Sequence, residues 1–140
     1  MFGNAVIQCN DTTIACETCE ELWVPNNPHV SYGLDGVEIV GNGSGSHHEL
    51  RKLNTRVDLI RNASQRNGGV YLYSNLKGCD GGRTYYDGAS IISMNGEIYR
   101  SLPQFSVDPV ETELGVLDLD VVRAKRGAFN SRGLQSSKQK

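Results

Sequence analysis

The 140 residues contain no apolar run approaching the ~18 residues of a membrane-crossing helix, so no membrane partner is expected. They have no surplus of basic residues: the net value of −2 gives no electrostatic reason for a nucleic-acid partner. The opening Met-Phe-Gly-Asn-Ala-Val has neither the basic segment nor the apolar stretch of a secretory leader. The cysteines Cys9, Cys16, Cys19 and Cys79 are therefore expected as free thiols in a reducing compartment, the cytoplasm. On the same ground the sequons at Asn10, Asn42 and Asn62 are expected to carry no glycans. No internal repeat is present.

What is present is ordinary globular composition: 38% apolar, 21% charged and 16 glycines. Short β-prone runs over 5–8 and 12–15 flank the turn pair Asn10-Asp11. A loop at 25–28 precedes a strand over 36–41, and the glycine- and serine-rich segment 42–46 follows it. Leu50, Leu53, Val57 and Ile60 recur at steps of three and four, which predicts a helix over about 47–66, stopped by Asn67-Gly68-Gly69. Next come a strand over 70–73 and a long polar loop over 75–86. A hairpin over 89–100 turns at Asn95-Gly96, and a last strand over 116–122 turns into a helix. Strand, helix, strand, hairpin and strand indicate an α/β sandwich with mixed pairing.

Four segments could carry chemistry. Cys19 ends a β run where the chain must turn sharply, a place that exposes a nucleophile and aims backbone N–H groups at a developing oxyanion. Glu17, Glu20 and Glu21 flank it and disfavour a thiolate, so the cysteine needs a cationic partner. The alternative is a cysteine that only packs. Cys16 and Cys19 with His47 and His48 resemble half a zinc site or a redox pair. However, a second ligand pair at suitable spacing is lacking, and no metal is expected. The two histidines then read as surface residues or as hydrogen-bonding partners within their loop.

The segment 42–46 meets the helix with Ser46 placed as N-cap and Glu49 as its capping-box partner; the alternative is an anion site on the helix N-terminus. It lacks the Lys-Ser/Thr ending of a phosphate loop. The mixed polar and aromatic run 78–88 suits a loop bordering a site or subunit contact, or a solvated loop.

Together these segments resemble the nitrilase-type amidase domain of eukaryotic glutamine-dependent NAD synthetases. The resemblance rests on Cys19-Glu20-Glu21-Leu22-Trp23, on Leu34-Asp35-Gly36-Val37-Glu38-Ile39, and on Asn42-Gly43-Ser44-Gly45-Ser46-His47-His48 with Leu50-Arg51-Lys52. It continues through Lys77-Gly78-Cys79-Asp80-Gly81, Tyr85-Tyr86-Asp87-Gly88, Met94-Asn95-Gly96, Gln104-Phe105-Ser106 and Leu117-Asp118-Leu119, in order over 11–126.

The resemblance implies an αββα sandwich that pairs with copies of itself, here incomplete because its first strands and helices lie upstream. Residues 1–126 would then be the C-terminal portion of the amidase domain. The polar, basic tail 127–140 would be a linker toward a synthetase domain, a simpler reading than RNA binding by its charges. It also implies Cys19 as the nucleophile that attacks glutamine, with Glu20, Ser46 and Arg51 holding the substrate. The family's general-base glutamate and its lysine fall upstream, so the chain alone is expected to be inactive. No cofactor is expected in this chain, with ATP and Mg used only in the synthetase domain. A stand-alone hydrolase of another amide, or a non-catalytic module docking on full-length subunits, are the alternatives.

Overall fold

The computed structural model describes residues 3–139, so Lys140 of the basic tail lies outside the described residues. Strands β1 (Val6–Gln8) and β2 (Thr13–Thr18) pair antiparallel around the expected turn. Helix α1 (Pro28–Leu34) leads to β3 (Ile39–Ser44), and α2 (Lys52–Asn67) leads to β4 (Val70–Asn75). Strands β2, β3 and β4 are parallel neighbours. Strands β5 (Lys77–Asp80) and β6 (Thr84–Asp87) form a separate antiparallel ribbon. The hairpin β7 (Ile91–Met94) and β8 (Glu97–Ser101) then completes a six-stranded sheet in the order β1-β2-β3-β4-β7-β8. Helices α3 (Leu119–Gly127) and α4 (Asn130–Ser136) close the chain.

The pleat sorts side chains by parity. Ala15, Val40, Tyr71 and Ser93 stand side by side across the sheet, and Glu17, Asn42, Tyr73 and Ile91 form the next row on the same face. That face is roofed by α1 and α2, which supply Tyr32, Ile60 and Ala63 to the main core. Full burial of Ile60 alone is worth roughly 1.5–3 kcal/mol.

On the other face, Ile39, Val70 and Met94 are covered at one end by Leu117, Leu119 and Val122. Further along, Cys16 is exposed, and Leu72 and Ile7 keep 39% and 61% of their surface. One helical layer and one sheet, with the second sheet face largely uncovered, make the mixed α/β half-sandwich that was expected.

Four local expectations are corrected. Leu50 is almost wholly exposed and lies ahead of α2, because Arg51 adopts a left-handed φ of 68° and delays the helix to Lys52. The loop at 25–28 continues into α1, whose first residue is Pro28, a position where a missing N–H costs nothing. The polar loop 75–86 is the β5–β6 ribbon. The last strand over 116–122 does not form: Val116 is fully exposed, and α3 starts at Leu119 behind the Asp118 cap.

Candidate active site

The C-terminal ends of the three parallel strands form one rim, the usual place for ligands in an α/β sheet. Cys19 follows β2 directly as the first residue of a short 3-10 turn, Cys19–Leu22. Its φ of 45° is rare outside glycine and costs about 1–3 kcal/mol, so the surroundings must impose it. The Glu21 side chain accepts from the Thr18 N–H at 2.6 Å, the Trp23 N–H donates to the Glu20 carbonyl at 2.8 Å, and Asn42 Nδ2 donates to the Cys19 carbonyl at 3.4 Å. The thiol is free and half-buried, and Cys16 is separately free and exposed on the opposite sheet face.

The three glutamates do not surround the sulfur as the sequence suggested. Glu17 points into the helical face, 2% exposed. There it accepts from the His29 backbone N–H at 3.0 Å, from His29 Nδ1 at 3.0 and 3.1 Å, and from the Tyr71 hydroxyl. Burial pushes its carboxyl up, and the His29 and Tyr71 hydrogen bonds outweigh that to leave it below the usual range. Tyr71 is held well above its ordinary range, first by burial and then by the Glu17 charge. Glu21 serves the turn, and Glu20 is exposed.

Ser46 is not a helix cap. Its backbone N–H donates to Asn75 Oδ1 at 2.8 Å and its carbonyl accepts from Asn75 Nδ2 at 3.1 Å, which ties it to the end of β4. It is 6% exposed, and its hydroxyl accepts from Arg56 Nη2 at 3.2 Å. Arg51 stays exposed, so the guanidinium that meets Ser46 is that of Arg56, one turn and more into α2.

Arg56 also donates to Asp87 Oδ1 at 3.0 Å, and both side chains are fully buried. Asn75, Gln104 and His48 complete the shell of Asp87 at 3.2, 2.7 and 3.2 Å. Burial raises the Asp87 carboxyl, and the bonds from Arg56, Gln104 and His48 bring it net below its usual range. His47 pairs with Glu49 at 2.7 Å, so both histidines are hydrogen-bonding loop residues.

Tyr73 joins the two halves. Its ring lies 5.8 Å from the Arg56 guanidinium. Burial raises its phenol, the Ser44 and Ser46 hydroxyls and Arg56 act against that, and Cys19 adds to it. Its hydroxyl is aligned with neither serine and has no hydrogen-bond partner among the described residues. Cys19 and Ser46 follow the C-terminal ends of the neighbouring strands β2 and β3 and so lie on one rim, with Arg56 bonded to Ser46 from the helical layer. Sequence reasoning passed over Arg56, although a charge at 56 on the stripe 53, 57 and 60 is a readable sign of a buried partner.

The carbon–nitrogen hydrolase family model matches residues 1–126. The chain belongs to this family. Within it, the chain is 59% identical over 136 residues to the glutamine-dependent NAD(+) synthetase of Saccharomyces cerevisiae, covering 97% of the chain and 19% of the yeast protein. It therefore spans about a fifth of that relative's length. A glutamine-dependent NAD(+) synthetase from Cytophaga hutchinsonii superposes with TM-score 0.64 at 30% identity, over 75% of this chain and 16% of the other. The CN-hydrolase superfamily protein XC1258 from Xanthomonas campestris shares the fold of this chain, with TM-score 0.71 at 13% identity over 94% of the chain and 49% of its own.

Proposed function

We propose that this chain carries the nucleophile of a glutamine amidohydrolase that feeds ammonia to NAD synthesis. The Cys19 thiolate attacks the γ-amide carbon of glutamine, and the C–N bond breaks as the nitrogen takes a proton and leaves as ammonia. Water then cleaves the thioester, returning glutamate and the thiol. Backbone N–H groups at the turn that begins with Cys19 receive the oxyanion. Glu20 and Ser46 hold the amino-acid end of glutamine, with Arg51 at its margin.

The observation that supports this reading best is the left-handed Cys19 at the end of β2, its half-buried thiol on the same rim as Ser46. The base and the lysine come from the preceding part of the amidase domain, so the 140 residues alone release little ammonia. ATP and Mg act in a separate synthetase domain that turns deamido-NAD into NAD, and this chain binds no cofactor. The protein works in the cytoplasm as a homo-oligomer, and the uncovered sheet face packs against the remaining strands of the amidase sandwich.

A chimera tests the proposal: the matching 136 residues of the yeast enzyme are replaced by this chain. Glutamine-dependent NAD formation is expected, abolished by Cys19→Ala with ammonia-dependent formation preserved. A chimera that uses ammonia but not glutamine, or a Cys19→Ala variant that still uses glutamine, overturns the reading.

A further inference from the structure

Cys19 holds a conformation that its own side chain does not favour, and the sheet beneath it contains a buried polar chain that ends on its carbonyl. Glu17, Tyr71 and Asn42 are 2%, 1% and 2% exposed. An ionised carboxylate only accepts hydrogen bonds, so the Tyr71 hydroxyl must donate to Glu17. Its proton committed, the Tyr71 oxygen is left to accept, and it does so from Asn42 Nδ2 at 3.0 Å. Asn42 Oδ1 accepts from the Ser44 hydroxyl at 3.0 Å, which fixes the amide's orientation. The second Nδ2 proton is then aimed at the Cys19 carbonyl, 3.4 Å away. The charge on Glu17 sets the donor direction of every later link.

His29 anchors the far end through its backbone N–H and ring, and Asn67 Nδ2 holds the His29 carbonyl at 2.7 Å. The relay thus ties α1, α2, β2, β3 and β4 to one backbone oxygen. None of these side chains is needed for the chemistry proposed above, and a chain that only filled space would bury apolar groups at less cost.

We propose that Glu17, Tyr71 and Asn42 are positioning residues, a directional hydrogen-bond relay that holds the Cys19 backbone left-handed and so presents its thiol. The inference rests on Cys19 being the nucleophile. Its test reads the thiol itself and not glutamine turnover, so the two can fail separately.

The folded chain is alkylated with limiting iodoacetamide, and labelling is resolved peptide by peptide, with exposed Cys79 as internal reference. Tyr71→Phe and Asn42→Leu are expected to lower the Cys19-to-Cys79 rate ratio about three- to tenfold, the effect of losing one hydrogen bond. Ser93→Ala is the control. Ser93 is fully buried in the same row as Tyr71 and bonds Ser64, outside the relay. It should lower the melting temperature and leave the ratio unchanged. Should Tyr71→Phe or Asn42→Leu unfold, seen as equal labelling of all four cysteines, the isosteric Glu17→Gln decides by the same ratio. A folded relay variant with a wild-type ratio, or a ratio that falls equally in Ser93→Ala, overturns the proposal.

Discussion

Glu17 and Asp87 both lie near the rim that bears Cys19 and Ser46, with no exposed side-chain surface, but their surroundings differ in kind. Asp87 faces a permanent cation, Arg56, supported by two amides and a histidine. Among the described residues, Glu17 is hydrogen-bonded only by His29 and Tyr71, groups that a carboxylate can organise but that carry no fixed positive charge. The first arrangement clamps the loop that bears Ser46. The second passes an orientation on to Cys19. Removing a partner should therefore damage the two sites to different degrees and in different ways.

The largest effect is expected at the clamp. Arg56→Met strands the Asp87 charge in the interior and should cost about 3–5 kcal/mol, read as a lowered urea midpoint. A loss below about 1 kcal/mol would mean that the amides and His48 alone neutralise Asp87, and the contrast would vanish.

Glu17→Gln keeps the shape and some of the hydrogen bonds, so a smaller loss of about 1–3 kcal/mol is expected. Its acid response sharpens the comparison. Both carboxyls are held below their ordinary values of 4.5 and 3.8 in the folded state. Each contribution is thus complete above those values and is lost as pH falls through the lowered folded ones. Wild type should lose stability more steeply than Glu17→Gln between about pH 5 and about pH 2. Identical acid limbs would show that Glu17 is not the charge that organises its partners.

The smallest effect is expected far from either carboxylate, in the segment between β8 and α3, where Val107 and Val116 are 97% and 101% exposed. Replacing both with serine should change stability by no more than about 0.5 kcal/mol. It should nonetheless reduce self-association in sedimentation velocity, because exposed apolar surface drives contact between molecules. Unchanged sedimentation would assign association to the bare sheet face alone.

Much of this architecture was legible from pattern. The hairpin at Asn95-Gly96 and the buried face of α2 at Ile60 followed from turn chemistry and from helical spacing. The position of Cys19 at a strand end was equally readable. What escaped was set by contacts between distant residues. Asn75 captures both backbone groups of Ser46, which overrides the local capping box and moves the helix start to Lys52. Glu17 looked like a charge beside the thiol because its burial depends on His29 and Tyr71, 12 and 54 positions away. Arg56 looked like one polar residue in a helix until Asp87, 31 positions on, gave it a counter-charge.

The strict in-and-out alternation of β2 bears on which mutations such a gene can survive. Extra residues between α1 and β3, or after β6, would lengthen turns and leave the rim standing. Loss of a single codon within β2 would shift the parity of everything after it, turning the carboxylate at 17 toward the bare side and the thiol at 16 toward the roofing helices. Length, more than composition, is the guarded property of this six-residue strand.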